Sequence, residues 1–185
     1  MGFCLFNNVA LAAQHAKRAH ELTRVLVIDF DVHHGNGTQD IFYEDPGVLF
    51  YSIHRYGRGF YPGTGAATET GRGKGEGYTL NVPVTFGTPR KEYHDLFTRG
   101  LEKAAEKIKP ELVLLSAGFD AHAKDPIGSL GLETEDFTTL TRRVLEVAKA
   151  HARGRLVSCL EGGYNVKTLG ELVQVHLVEL LAFKG

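Results

Sequence analysis

Five short apolar runs punctuate the chain, at 24–30 (RVLVIDF), 48–54 (VLFYSIH), 78–84 (YTLNVPV), 112–117 (LVLLSA) and 155–160 (RLVSCL). A strand wet on one face alternates apolar and polar residues. Runs with little alternation predict strands covered on both faces of a parallel sheet. Pro83 has no N–H to give a ladder, so its strand is expected to end there. Between these runs the apolar period lengthens to that of a helix. The alanine-rich segment 6–21 predicts one helix, with Val9, Leu11, Ala12 and Ala16 apolar. Thr88-Pro89 predicts a helix start with Thr88 as N-cap and Pro89 at the first helical position. Tyr93, Phe97, Leu101, Ala104 and Ile108 then carry the period to Pro110. Helices over 133–152 and 166–183 follow. Strands alternating with helices predict a single α/β domain over 1–185, a three-layer sandwich around a mostly parallel sheet.

In such a sheet ligands bind beyond the carboxyl ends of the strands. The first run ends there in Asp29-Phe30-Asp31-Val32-His33-His34-Gly35. Alternate residues of extended chain share a side, so Asp29, Asp31 and His33 can project together. Two carboxylates and an imidazole crowded at one point are unfavourable without a cation. The 112–117 run leads into Gly118-Phe119-Asp120-Ala121-His122, which brings Asp120 to the same edge. Asp31, His33 and Asp120 are three ligands that leave a coordination position open, the catalytic rather than structural arrangement for zinc. Mn²⁺ or Fe²⁺ suits the same donors. Tyr164, after Gly162-Gly163, reaches this edge from the last strand, where its hydroxyl can donate to a developing oxyanion. The competing reading makes the aspartates caps, the histidines loop filler and Tyr164 a residue packed at a helix start.

The long irregular stretch 55–77 carries eight of the 22 glycines. Its Gly71-Arg72-Gly73-Lys74-Gly75 lacks the pattern and helix start of a phosphate-binding loop. Composition narrows the partners. Net charge is −1 over 185 residues, which gives no bulk attraction to nucleic acid or a membrane surface. No apolar run approaches the roughly 18 residues of a membrane span. Met1 leads directly into GFCLFNN without a basic segment or cleavage site, so a cytoplasmic location is expected. Cys4 and Cys159 are then expected as buried thiols rather than a disulfide.

Six segments in order, GFCLFNN at 2–8, DFDVHHGNGTQ at 29–39, SIHRYGRGFYPGTG at 52–65, NVP at 81–83, SAGFDAH at 116–122 and LEGGYN at 160–165, resemble the histone deacetylase superfamily. The likeness is to its class II and bacterial amidohydrolase branch, related to acetylpolyamine amidohydrolases and acetoin utilization proteins. It implies an arginase- and deacetylase-like fold. It also implies one Zn²⁺ on Asp31, His33 and Asp120, with His34 supporting the ligands from behind. The reaction implied is hydrolysis of an acetyl amide, in acetyl-lysine or an acetylpolyamine, with Tyr164 as catalytic donor. Gly2, Phe3, Tyr61 and Gly162 match the substrate tunnel, whereas Phe6 and Phe60 read as ordinary core aromatics. The resemblance further implies K⁺ at Asp29, Asp31, His33 and Ser52, and a second K⁺ near Phe42, Val48 and Tyr78.

The family's adjacent histidine pair, its general base and acid, precedes the GFC segment. In these 185 residues the only His-His pair is His33-His34. Of the rest, His15, His20, His94, His151 and His176 are expected at helix surfaces, and His54 and His122 match structural positions. Positioned acid–base groups contribute about 10²–10⁴-fold in rate. The chain alone is therefore expected to be an impaired hydrolase with an uncovered sheet edge. Met1 is expected to be an internal methionine of a longer protein. Two alternatives stand beside the deacetylase, a non-catalytic acetyl-group binding module and an arginase-like Mn²⁺ ureohydrolase.

Overall fold

A computed structural model describes residues 3–185. Each apolar run becomes a strand: β1 (Val25–Asp29), β2 (Val48–Arg55), β3 (Thr79–Val84), β4 (Leu112–Ala117) and β5 (Leu156–Leu160). All neighbours pair in parallel, in the order β3-β2-β1-β4-β5. The helices are α1 (Asn8–Ala19), α2 (Asn36–Phe42), α3 (Arg90–Ile108), α4 (Thr134–Ala152) and α5 (Val166–Ala182).

Burial explains why the central runs do not alternate. Val25 and Val27 face a core built with Val9 and Ala13 of α1 and Phe42 of α2. Leu26 and Ile28 face the opposite core, with Phe97 and Leu101 of α3 and Leu140 and Val144 of α4. Helices therefore cover both faces of β1, and five consecutive residues of that strand are buried. Beyond α4, α5 forms the outer part of its layer. Arg142 of α4 and Glu179 of α5 are paired at 2.8 Å.

The order of the strands fixes where chemistry can occur. From β1 the chain steps outward through β2 to β3; α3 then carries it back to β4, on the other side of β1. Connections diverge in opposite directions from the β1–β4 pair and leave a crevice at its carboxyl end. Asp31 and His33 follow β1, and Asp120 follows β4.

Several expectations are corrected. Thr88 is not the cap of α3: Pro89 is extended (φ −58°, ψ 141°), the helix begins at Arg90, and the Thr88 hydroxyl closes a turn onto the Thr85 carbonyl at 2.8 Å. The helix α2 was not predicted, because seven residues are too few for a period to show. The apolar run of β5 is half-covered rather than enclosed, since β5 is an edge strand with Val157 and Leu160 exposed.

Candidate metal centre

Beyond β1 the backbone bends in two steps, each closed by a carboxylate. The Asp31 N–H donates to Asp29 Oδ1 at 3.0 Å, and the His33 N–H to Asp31 Oδ1 at 2.8 Å. Short acidic side chains make such turns with the backbone two residues on. Backbone donors also fix the other oxygens. Asp120 Oδ1 accepts from the Val32 N–H at 2.8 Å, and Asp31 Oδ2 from the Gly162 N–H at 2.7 Å. Glycine is required at 162, because a Cβ there would strike Asp120 Oδ2 and Asp31 Oδ2.

These constraints bring one donor atom each from Asp31, His33 and Asp120 within 4.8 Å of one another. His33 Nδ1 lies 3.1 Å from Asp31 Oδ1 and 3.0 Å from Asp120 Oδ2. Among the described residues no lysine or arginine pairs with either carboxylate. Burial works against charge on His33, but the Asp120 and Asp31 carboxylates outweigh it and push the imidazole up to about 10. Burial and the nearby Asp31 push Asp120 up to about 7. The cluster thus holds more negative charge than its surroundings balance. Three protein donors with an imbalance of this sign fit a divalent cation.

A cavity of about 540 Å³ opens over the cluster, with Asp31, His33, Tyr164, Phe3, Tyr61 and Leu160 in its wall. Phe3 packs edge-on against Tyr164 at 5.9 Å, and the Tyr61 ring stands 6.1 Å from His33. Both expected tunnel aromatics thus reach the cavity, and Gly162 lies at its base. Gly2 lies outside the described residues. Tyr164 is held from behind, its N–H donating to Asp125 Oδ2 at 2.8 Å. Burial, then the carboxylates of Asp31, Asp120 and Asp125, push its hydroxyl above the usual phenol range, so it remains a proton donor at neutral pH. Beside the cluster, Ser116 Oγ donates to Glu161 at 3.0 Å.

The remaining predicted residues fall into place unevenly. Asp29 is 4% exposed, is in no ion pair among the described residues, and is pushed well up by burial, Asp31 and Glu161. Ser52 is its partner in the β1–β2 register, but the Ser52 hydroxyl is engaged by His54 Nδ1 at 2.9 Å. Both ring nitrogens of His34 are engaged, by Thr64 at 2.9 Å and Gln39 at 2.9 Å. It anchors the glycine-rich loop and makes no hydrogen bond to Asp31, His33 or Asp120, so it does not support them from behind by a direct contact.

Four expectations fail here. His176 is buried, because Thr141 of α4 and Ser158 of β5 take up its two nitrogens at 2.8 and 2.9 Å. Cys4 is exposed and Cys159 half-buried, so neither is a core thiol. Phe6 is 73% exposed. Phe60 is not simply core: its ring lies flat on His33, with centroids 5.0 Å apart and planes 4° from parallel. Sequence reasoning missed Asp125 and Phe60 as site residues. Asp125 lies 39 residues from Tyr164 in the chain, and no local pattern joins them.

Comparison with known proteins agrees with this geometry. The profile of the histone deacetylase domain family matches residues 1–180. The chain is 47% identical over 173 residues to histone deacetylase 14, chloroplastic, of Arabidopsis thaliana, covering 94% of this chain and 40% of that protein. It is 43% identical over 165 residues to a histone deacetylase-like amidohydrolase of Pseudomonas aeruginosa, covering 89% of this chain and 43% of that one. To polyamine deacetylase HDAC10 of Homo sapiens it is 46% identical over 184 residues, covering 97% and 27%. The solved HDA15 HD domain superposes with a TM-score of 0.89 at 39% identity, covering all of this chain and 52% of that one. The chain thus spans about two-fifths of the length of the first two relatives.

Proposed function

This chain belongs to the histone deacetylase family, and on that premise we propose that it is the metal-binding core of a zinc-dependent hydrolase of acetyl amides. The observation carrying this reading is the meeting of Asp31, His33 and Asp120 beneath a cavity whose wall holds Tyr164. Zn²⁺ held by those three side chains would supply Lewis acidity, polarising an acyl carbonyl and making water nucleophilic near neutral pH. The chain's own residues do the rest. The N–H groups of Val32 and Gly162 fix one oxygen of each aspartate. The protonated Tyr164 hydroxyl donates to the carbonyl oxygen as it gains charge. Phe3 and Tyr61 suit a linear alkyl amide, an acetyl-lysine side chain or an acetylpolyamine. Relatives named for histone and for polyamine substrates are both close in sequence, and the acetyl amide is what those substrates share.

The same reading places K⁺ at Asp29, Asp31, His33 and Ser52, supported by the buried Asp29 carboxylate without a cationic partner. It also carries slow turnover by the 185 residues alone. His33 and His34 are the imidazoles in the cavity wall, and neither is placed to move a proton for the leaving amine: one is a ligand and the other is doubly hydrogen-bonded.

The test is zinc analysis of the purified chain together with acetate release from an acetyl-lysine peptide and from acetylputrescine. One Zn²⁺ per chain, lost in Asp120→Ala, is expected. Tyr164→Phe should keep the zinc and lower acetate release by about 10²–10³-fold. Hydroxamate binding without any acetate release would favour an acetyl-binding module. Absence of zinc uptake, or urea release from a guanidino compound, would overturn the proposal.

A further inference from the structure

Metal-binding histidines are usually oriented by a hydrogen bond from the ring nitrogen that does not bind the metal. His33 lacks that device among the described residues: its recorded hydrogen bonds all involve Nδ1 or the backbone N–H. Those Nδ1 contacts run to Asp31 and Asp120, the same carboxylates that would become ligands beside it. On metal binding Nδ1 would turn from hydrogen-bonding to ligation. Imidazole rotation about its Cβ–Cγ bond is soft. Something else must hold the ring plane, and the Phe60 ring lies flat against it.

Phe60 is in turn held by Arg55, the last residue of β2. The Arg55 guanidinium sits 4.4 Å from the Phe60 centroid and 4.6 Å from that of Phe86. Its Nη1 donates to the Gly128 carbonyl at 2.8 Å, and its backbone N–H to the Val32 carbonyl at 2.8 Å. Val32 is the residue between ligands Asp31 and His33. Gly128 packs so closely on Asp120 that a Cβ there would strike the Asp120 carbonyl and the Val32 side chain. One residue therefore touches the segment carrying two ligands, the segment backing the third, and the ring stacked on His33. Arg55 is in no ion pair among the described residues. Its charge is met by two aromatic faces and a carbonyl. A planar guanidinium can stack and donate in its own plane at once, which an ammonium cannot.

We propose that Arg55 and Phe60 form a positioning stack that fixes the imidazole plane of His33 and so sets the affinity and geometry of the metal site. The proposal rests on the metal reading above. Neither residue touches substrate in this role.

The test uses Co²⁺ as a spectroscopic probe of the purified chain, with affinity from chelator competition, geometry from the visible ligand-field bands, and folding followed by thermal unfolding. Phe60→Leu and Arg55→Ala should bind Co²⁺ about 10- to 100-fold more weakly, with altered bands. Phe60→Tyr, which keeps a flat ring, should restore both readouts. Arg55→Lys, which keeps charge but not the plane, should leave the bands altered. If Leu at 60 or Ala at 55 prevents folding, Phe60→Met and Arg55→Lys carry the same comparison. Folded variants with wild-type affinity and bands overturn the stack while leaving the metal reading intact. A wild-type chain that takes up no Co²⁺ overturns both.

Discussion

A single methyl group at Gly162 would occupy the space where Asp31 Oδ2 and Asp120 Oδ2 approach the backbone, while the Gly162 N–H holds the first of them. Both carboxylates would have to turn, and both are candidate ligands. Overpacking of this kind costs about 1–3 kcal/mol. Gly162→Ala is therefore expected to fold with a lowered Tm and to lose metal affinity by at least about tenfold, the range seen when support for a ligand is lost. Isothermal titration with Zn²⁺ measures the affinity, and an unchanged Kd would remove Gly162 from the site. In the sequence the glycine stood out only through the family resemblance, as a match to the substrate tunnel within LEGGYN. That position 162 needs glycine is a consequence of two side chains arriving from β1 and β4, which local pattern does not contain. Phe60 teaches the same lesson: an aromatic in a glycine-rich loop carries no mark of what it will lie upon.

At the scale of elements, the joint between α3 and α4 rests on one carboxylate. Asp136 accepts from the Glu133 N–H at 2.7 Å, closing a capping box at the start of α4. It also takes Arg90 Nε at 2.7 Å and lies 2.6 Å from His94 Nε2, both on the first turns of α3. Burial alone would raise its pKa, but Arg90, the Glu133 N–H and His94 hold it below the ordinary carboxylate range. Asp136→Ala should remove the cap and the interhelical tie together, at about 1–3 kcal/mol. In a chain of this length that is a fall in Tm of ~2–4 °C for each kcal/mol, read by calorimetry. No change in Tm would show that packing alone sets the joint. The helix itself was legible as an apolar period over 133–152, but its cap was not, because Glu133 is not among the short polar residues that mark a helix start. Nor were the partner α3 residues, because the sheet and its helices must assemble before Arg90 and His94 face Asp136.

For the molecule as a whole, buried neutral histidines set a lower pH limit. His54 is fully buried, and burial together with His34 depresses its pKa from 6.5 to about 3. Burial also lowers that of His176. The Thr141 hydroxyl already donates to the Phe137 carbonyl at 2.7 Å, so it accepts from His176 Nδ1–H and leaves Nε2 to accept from Ser158. That tautomer has no use for a second proton. The sign follows from linkage. Below about pH 6.5 the unfolded chain protonates His54 and the folded chain does not until about pH 3, so the contribution of this ring to stability falls as pH drops through that window. Each unit of depressed pKa corresponds to ~1.4 kcal/mol. His33 and Asp120, whose pKa values are raised, act with the opposite sign as pH falls from 8, so the His54 share is read by comparing urea midpoints at pH 8 and pH 5 in wild type and variant. His54→Asn should raise the pH 5 midpoint relative to the pH 8 midpoint when compared with wild type; the same pH 8 to pH 5 change in both proteins would remove His54 as a cause.

Much was determined along the chain alone. Apolar runs without alternation fix buried parallel strands, because a residue covered on both faces of a sheet must be apolar on both. Helical periods between them fix the layers. Aspartate and histidine at the ends of two such runs mark the candidate metal site, because that edge is where an α/β sheet leaves room for a ligand. Tertiary structure decided the rest. The strand order put β4 beside β1 and so joined Asp120 to Asp31 and His33 across 87 residues or more of chain. It buried His176, exposed Cys4, and laid Phe60 and Arg55 behind His33. Each of those outcomes depends on which surfaces meet after folding, a matter of approach in space rather than of spacing in sequence.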